Sequence, residues 1–455
     1  EGLFRMKPDA LYADFYERAL FNHILSTQHP EHGGYVYFTP ARPQHYRVYS
    51  APNEAMWCCV GTGMENHGKY GQFIYTHRAD TLYVNLFIAS ELSWKQKGIT
   101  VTQQTQFPDE EGTTLTIHTK APVSFKLMIR HPFWVSSKSF RIQVGSETLN
   151  VASEPSSYVL INRTWKDGDV VKVLLPMENR LEELPNVPQY VAVMHGPILL
   201  AAKTGTQNMT GLIADDSRWG HIANGPLISL DKAPVMISDR ATLLSKLYPV
   251  KGQPLTFTTK GLFANQDDSR LVLEPFFRIH DSRYMMYWLN LTQTQYKKYV
   301  DSLAIAEKEK MILDKRTIDA VTPGQQQPET DHGFKSSNSQ TGYHQNEPWR
   351  DARNGGFISY TLRTNKENKL SVMVRYWGNE SGSRQFDILI DGEKLTSENL
   401  AGKWNKSEFE NVEYSIPDSM ISGKSSVEVR FQAAPNNIAG GIFYVRLLRK
   451  TPLTN

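Results

Sequence analysis

The 455-residue sequence predicts a mainly β protein headed by helices, and three features carry that expectation. Apolar residues recur at helical spacing before about residue 80 and alternate with polar residues after it. The alternating stretches are short and separated by Gly, Asp, Asn and Pro. The length exceeds the roughly 250–300 residues at which single cores stop growing, so several domains are expected. The divisions fall at 1–80 (helical), 81–205 (a β-sandwich), 206–300 (a second β region), 301–330 (helix and linker) and 331–455 (a last β-sandwich).

The first helix is predicted from Asp9 to Ser26. Leu11, Phe15, Leu20 and Ile24, with Tyr12, Tyr16 and Ala19, share a face there, and Pro8 precedes it. A second helix is expected from about Gly61 through Met64, His67, Tyr70 and Phe73 to about Thr76. Two helices with large apolar faces cannot bury both faces on each other, so further helices are expected upstream. From Thr81 the period changes. Phe125, Leu127 and Ile129 place a large apolar residue at every second position, and Trp165-Lys166-Asp167-Gly168-Asp169 supplies a turn before Val171, Val173 and Leu175. Tyr190 to Ala202 is a further strand block, and a second β region ends near Leu291. A charged helix is predicted from Ser302 to Asp319, and Pro323 to Gly333, rich in Pro and Gln, reads as a linker. Phe386, Ile388 and Ile390, then Val427, Val429 and Phe431, alternate as strands of the last unit.

Composition excludes several function classes. Lys and Arg number 50 against 47 Asp and Glu, a formal charge of +3, and no basic run follows a phosphate backbone, so nucleic acid is not an expected partner. No uncharged apolar stretch approaches the ~20 residues of a membrane span. The sequence opens on Glu1 without a basic-then-apolar leader, so any export signal is expected to have been removed or left out.

Two cysteines exclude a disulfide framework, and they are adjacent, Cys58 and Cys59. Neighbouring cysteines rarely bond to each other, because the small ring strains the peptide between them. A thiol just before a helix N-terminus faces unpaired N–H groups and the positive end of the dipole, which favour thiolate. Two thiolates side by side repel unless a cation lies between them, and a soft divalent metal, zinc foremost, fits. Zinc takes four ligands, so two more come from elsewhere. The other reading is a pair of ordinary buried cysteines.

Trp57-Cys58-Cys59-Val60-Gly61-Thr62-Gly63-Met64-Glu65-Asn66-His67-Gly68-Lys69-Tyr70 resembles the signature of glycoside hydrolase families 127 and 146, whose characterised members are β-L-arabinofuranosidases. Arg130-His131-Pro132-Phe133-Trp134, Gly168-Asp169-Val170 with Leu175-Pro176-Met177, and His195-Gly196-Pro197-Ile198-Leu199 extend the resemblance, which covers roughly residues 1 to 205. It implies that residues 1–80 are the C-terminal helices of an (α/α)6 catalytic barrel and that β-sandwich domains follow. The last unit resembles the galactose-binding-like jelly rolls.

The resemblance further implies a retaining glycosidase without the usual two carboxylates. Cys58 would be the nucleophile, and Cys58 and Cys59 would supply two of four zinc ligands. The remaining Glu and Cys ligands and the general-acid Glu belong to an upstream part of the family pattern. The sequence has no third cysteine, so the isolated chain is expected to be inactive and to need the upstream barrel segment of the same protein. Tyr37, in Tyr37-Phe38-Thr39-Pro40, is the expected sugar contact. The implied substrate is an arabinose-containing plant glycan, and the implied location is outside a bacterial cell or in its periplasm. A non-catalytic carbohydrate-binding or scaffolding role is the alternative.

Other candidates weigh less. Glu54 and Glu65 flank the cysteines and read as a solvated carboxylate and a structural one. His67, about two helical turns past Cys59, reads as a packing residue, and His131 and His195 as groups satisfying local backbone. Tyr343, Trp349, Trp377 and Trp404 suit either a sugar platform or the core of the last sandwich.

Overall fold

Why the chain turns from helix to sheet is visible at its first buried charges. The computed structural model describes residues 1–150, 152–217, 220–264 and 271–450. Asp9 caps the helix Ala10–Asn22 by accepting from the Leu11 N–H, and a 3-10 turn, Ile24–Thr27, follows. The helix therefore ends earlier than the expected Ser26, and its buried face differs from the expected one. Leu11 and Phe15 are 60% and 74% exposed, whereas Ala13, Asp14, Glu17, Leu20 and Phe21 are buried. Asp14 and Glu17 turn inward because Arg130, fully buried, lies between them. Its guanidinium donates to Asp14 at 2.6 Å and to both oxygens of Glu17, and its Nε donates to the Asn85 carbonyl at 2.6 Å. The Trp134 indole N–H completes the group by donating to Glu17 at 2.8 Å. The Arg130-to-Trp134 motif is thus the clamp that holds this helix on the sheets.

The second helix also departs from expectation. It begins at Cys58, runs to His67, and is followed by a separate short helix, Gly71–Ile74, after which Tyr75–Arg78 is already a strand. Gly61 is inside the helix, so the cysteines occupy its first turn and do not precede it.

The structure divides into a unit from Glu1 to Ala304 and a unit from Ile305 to Asn455. In the first, Val123–His131 pairs antiparallel with Ser157–Trp165 and parallel with Thr81–Val84, in a four-stranded sheet completed by Tyr75–Arg78. A six-stranded antiparallel sheet, centred on Gly112–Thr119 and Asp169–Leu174, provides the other layer. Phe125, Leu127, Ile129, Val171 and Val173 point into the core between them, as the alternation predicts, and Trp165 stacks on Phe125 with centroids 5.4 Å apart. A nine-stranded sheet holds Val187–His195 and Ile198–Gly205 together with Leu273–Pro275, Arg283–Met285 and Trp288–Leu291. Strands on both sides of residue 205 share this sheet, and Val191, Val193, Leu200, Leu273 and Trp288 from it belong to the same apolar cluster as the sandwich.

The helix predicted from Ser302 runs instead from Gln293 to Arg316 and stops where Thr317–Val321 enters a sheet. The segment expected as a linker is ordered structure: it contains the helix Gln326–Asp331, whose Glu329 is buried. Glu329 accepts two bonds from Arg350, at 2.6 and 2.8 Å, one from the Tyr360 hydroxyl at 3.1 Å and one from the Gly324 N–H at 2.8 Å. Asp319, held below the ordinary carboxylate range by bonds from His332 and Arg363 that outweigh its burial, ties the next turn down. The second unit is a two-sheet antiparallel jelly-roll sandwich. One sheet orders Thr317–Val321, Tyr444–Arg449, Leu370–Trp377 and Phe409–Ser415; the other is built on Glu347–Arg363 and Ser426–Ala433. Phe386, Ile388, Ile390, Val427, Val429 and Phe431 fill the core between the two sheets. Among the described residues no helix is long and apolar enough to cross a membrane.

Candidate active site

The backbone around the cysteine pair is fixed before the helix starts. Tyr49–Ser50 pairs in parallel with Ile213–Ala214, the Ala51 N–H donates to the Ala214 carbonyl at 2.8 Å, and the Met56 N–H donates to Asp216 at 3.3 Å. Trp57 is the N-cap residue and makes no side-chain cap bond, which leaves the first-turn N–H groups beside Cys58 and Cys59 without a capping side chain. On its other side the helix lies flat on Tyr35. A Cβ at Gly63 would come within 2.4 Å of the Tyr35 ring, so no larger residue lets the helix sit this close.

Cys58 is exposed and Cys59 partly so, both are free thiols, and their sulfurs lie 3.9 Å apart. Two sulfurs bound at ~2.3 Å to one tetrahedral zinc are about 3.8 Å apart, so the pair fits one edge of such a site. Burial, then the neighbouring Cys58, pushes the Cys59 thiol above its ordinary pKa, as expected of two sulfurs that cannot both ionise cheaply without a cation. Among the described residues no three His, Cys, Asp or Glu side chains converge to hold a metal.

Tyr37 sits beside the pair. A hydrogen bond with Cys58, and the nearness of both thiols, hold its phenol above its ordinary pKa. The ring is not core packing: it belongs to an aromatic wall with His221 at 4.3 Å, Phe38 at 4.6 Å and Trp57 at 6.5 Å between centroids. His221 also lies 5.5 Å from Trp57, and burial lowers its pKa. Neither His221 nor the wall was expected from the sequence; His221 lies in a Gly- and Asp-rich stretch far along the chain with no local motif. Tyr37 and Phe38 also line a cleft of about 500 Å3, with Phe15, Arg18, Met194 and Tyr287, which does not include the cysteines.

The remaining candidates fall outside this group. Glu54 is exposed, and Glu65 is exposed and faces Lys69 at 3.8 Å. His67 packs edge-on to Tyr35 with centroids 5.6 Å apart. His131 bonds the Val135 carbonyl and Ser153, and His195 bonds the Asn179 side chain at 2.7 Å instead of backbone.

Residues 1–72 match the family model described as Beta-L-arabinofuranosidase, GH127 catalytic domain, and residues 81–177 match Beta-L-arabinofuranosidase, GH127 middle domain. Residues 1–72 and 81–177 are thus similar to GH127 domains. Residues 180–290 and 312–448 match models of a domain and a family of unknown function. No curated protein matches the chain. Among solved structures, a glycoside hydrolase is similar at 20% identity and a TM-score of 0.46, covering 63% of this chain and 50% of that one. A GH127 beta-L-arabinofuranosidase from Geobacillus stearothermophilus T6 is similar at 17% identity and a TM-score of 0.45, covering 64% of this chain and 48% of that one. A family 35 carbohydrate binding module from Clostridium thermocellum is similar at 12% identity and a TM-score of 0.22, covering 29% of this chain and 98% of that one. The chain thus spans about half the length of the two hydrolases. The cysteine pair lies inside the GH127-like catalytic segment, and the Arg130 clamp inside the middle one.

Proposed function

We propose that this chain is part of a retaining glycoside hydrolase that releases β-L-arabinofuranose from plant-derived glycans, with Cys58 as the nucleophile. The observation that carries the reading is the pair of sulfurs 3.9 Å apart at a helix N-terminus, in the segment matched by the GH127 catalytic model. The Cys58 thiolate attacks the anomeric carbon, and the aglycone leaves with a proton from a general acid contributed by an upstream helical segment. Water then attacks the same carbon from the face the aglycone left, gives its proton to the conjugate base of that acid, and releases Cys58 as thiolate. Two displacements retain configuration. Cys58 and Cys59 would hold zinc with two further ligands from upstream; when bound, zinc supplies the positive charge that keeps both sulfurs ionised at neutral pH. Tyr37, next to Cys58, orients the sugar in this scheme.

The upstream segment is part of the proposal. Leu11, Phe15 and Met64, exposed at 60%, 74% and 50%, give it an apolar surface to cover. Action on plant glycans places the enzyme outside the cell or in the periplasm. The test is zinc analysis together with hydrolysis of a nitrophenyl β-L-arabinofuranoside, by the chain alone and by the protein carrying the upstream segment. The longer protein is expected to hold zinc and turn over, the chain alone to do little, and Cys58→Ala to abolish turnover in both. Full activity in the Cys58→Ala protein overturns the assignment, and glycan binding without zinc or turnover in the longer protein favours a binding or scaffolding role.

A further inference from the structure

The second unit carries a concave site of its own, independent of the cysteine chemistry. On the strand Glu347–Arg363, Trp349, Asp351 and Arg353 occupy alternate positions and share one face. Trp349 stands opposite Gly342 on the neighbouring strand, and a Cβ at Gly342 would meet the indole at 2.7 Å. Gly342 therefore lets the indole lie flat across the sheet. From the other sheet, Trp377 ends the strand Leu370–Trp377, with its ring 4.4 Å from His344 and 5.2 Å from Phe409. Together with Glu380, Arg384 and Phe443 these residues line a cavity of about 280 Å3.

Its polar groups are fixed in advance. Arg353 donates to Asp351 at 2.9 and 3.1 Å, and Asp351 also accepts from the Gln340 N–H at 3.2 Å. Arg384 pairs with Glu380 at 2.8 Å and donates to the carbonyls of Gly440, at 2.9 Å, and Ser381, at 3.1 Å. Each guanidinium is matched by one carboxylate, so the cavity has no net charge to offer a phosphate or a uronate. One group is left over: the buried Nε2 of His344 has no hydrogen-bond partner among the described residues, against the rule that buried polar atoms are paired.

We infer that this cavity binds one ring of a neutral saccharide. Indole faces suit the C–H faces of a sugar, while planar carboxylates and guanidiniums locked in pairs suit neighbouring hydroxyls, each of which both donates and accepts. The volume sits near the ~300 Å3 lower end of ligand pockets, the size for a single ring and not for a chain in a groove. A hydroxyl also supplies the partner that His344 Nε2 lacks. Of the aromatic residues expected as a platform, Trp349 and Trp377 are in this site; Trp404 stacks on buried Tyr376 and Tyr343 is exposed outside the cavity.

The test is calorimetric titration of the 455-residue chain with L-arabinose, D-galactose, D-xylose and D-glucose, and with D-galacturonate as the charged control. At least one neutral sugar is expected to bind with a dissociation constant in the millimolar range, and galacturonate at least about tenfold more weakly. Trp377→Ala and Glu380→Gln are each expected to weaken binding about tenfold or more, with Trp377→Phe recovering part of it. Tyr343→Ala and Cys58→Ala leave it unchanged. Should Trp377→Ala lower the melting temperature, Glu380→Gln and Trp377→Phe carry the comparison. The inference fails if none of the neutral sugars binds, if binding survives both Trp377→Ala and Glu380→Gln, or if galacturonate binds as well as they do. In the protein carrying the upstream segment, loss of hydrolysis in Cys58→Ala with sugar binding intact separates this site from the proposed catalytic one.

Discussion

At the scale of single residues, the thiols act on Tyr37. Cys58, and then Cys59, oppose ionisation of the neighbouring phenol, which is why Tyr37 is shifted upward. Removing the hydroxyl should leave the fold intact, since Tyr37 is half-buried on the aromatic wall and its ring remains. With the phenol proposed to orient the sugar, Tyr37→Phe in the protein carrying the upstream segment is expected to slow arabinofuranoside hydrolysis roughly three- to tenfold, the worth of one ordinary hydrogen bond. Initial-rate kinetics measure it; an unchanged rate would remove Tyr37 from the proposed site. That a helix starts beside the cysteine pair was legible in the sequence, although the helix begins at Cys58 itself. His221 was not, because the parallel pairing of Tyr49–Ser50 with Ile213–Ala214 sets where the following loop lies, and no sequence pattern announces a two-residue contact between distant segments.

Among the elements, the helix Ala10–Asn22 shows what hydrophobic spacing can mislead about. Leu11 and Phe15 mark one face and Asp14 and Glu17 another, and the second is buried, because Arg130 meets it. Apolar spacing carries no sign of this, because the compensating cation lies on a strand far away in sequence. Breaking such a buried pair leaves two uncompensated charges, so Arg130→Met is expected to destabilise the first unit by about 3–5 kcal/mol in chemical denaturation. A loss under ~1 kcal/mol would show that Asp14 and Glu17 find water or a proton instead. The Gln- and Pro-rich stretch misled for a related reason: Glu329 is buried there by Arg350 and Tyr360, and composition carries no trace of those partners. Glu329→Gln is expected to cost the second unit about 1–3 kcal/mol by leaving partly buried Arg350 beside a neutral amide, read as a lowered denaturant midpoint. By contrast, Phe125, Leu127 and Ile129 were legible because strict alternation has one physical outcome, a sheet with one buried face.

For the whole molecule, acid is expected to act through histidines buried neutral. Burial, with Arg180 nearby, lowers His195 to about 4, and burial, with Arg47 nearby, lowers His280 to about 4, against an ordinary 6.5. A folded pKa below the unfolded one gives stability that is complete above about 6.5 and is lost as pH falls toward about 4. Thermal unfolding of the first unit should therefore begin to weaken below pH 6.5, before most carboxylates protonate, and His195→Gln should flatten that slope. A melting temperature constant from pH 7 to 4.5 would contradict it. The mainly β plan was legible in the periodicity, whereas the shared sheet across residue 205 was not, because strand pairing between distant segments depends on register and not on local pattern. In the proposed mechanism Cys58 becomes covalently joined to the sugar. That step is tested most directly by acid-quenching the protein that carries the upstream segment during turnover of an arabinofuranoside and mapping its peptides by mass. The account predicts a pentosyl increment on the peptide containing Cys58, lost in Cys58→Ala; the same increment on a carboxylate, with Cys58 unmodified, would contradict it.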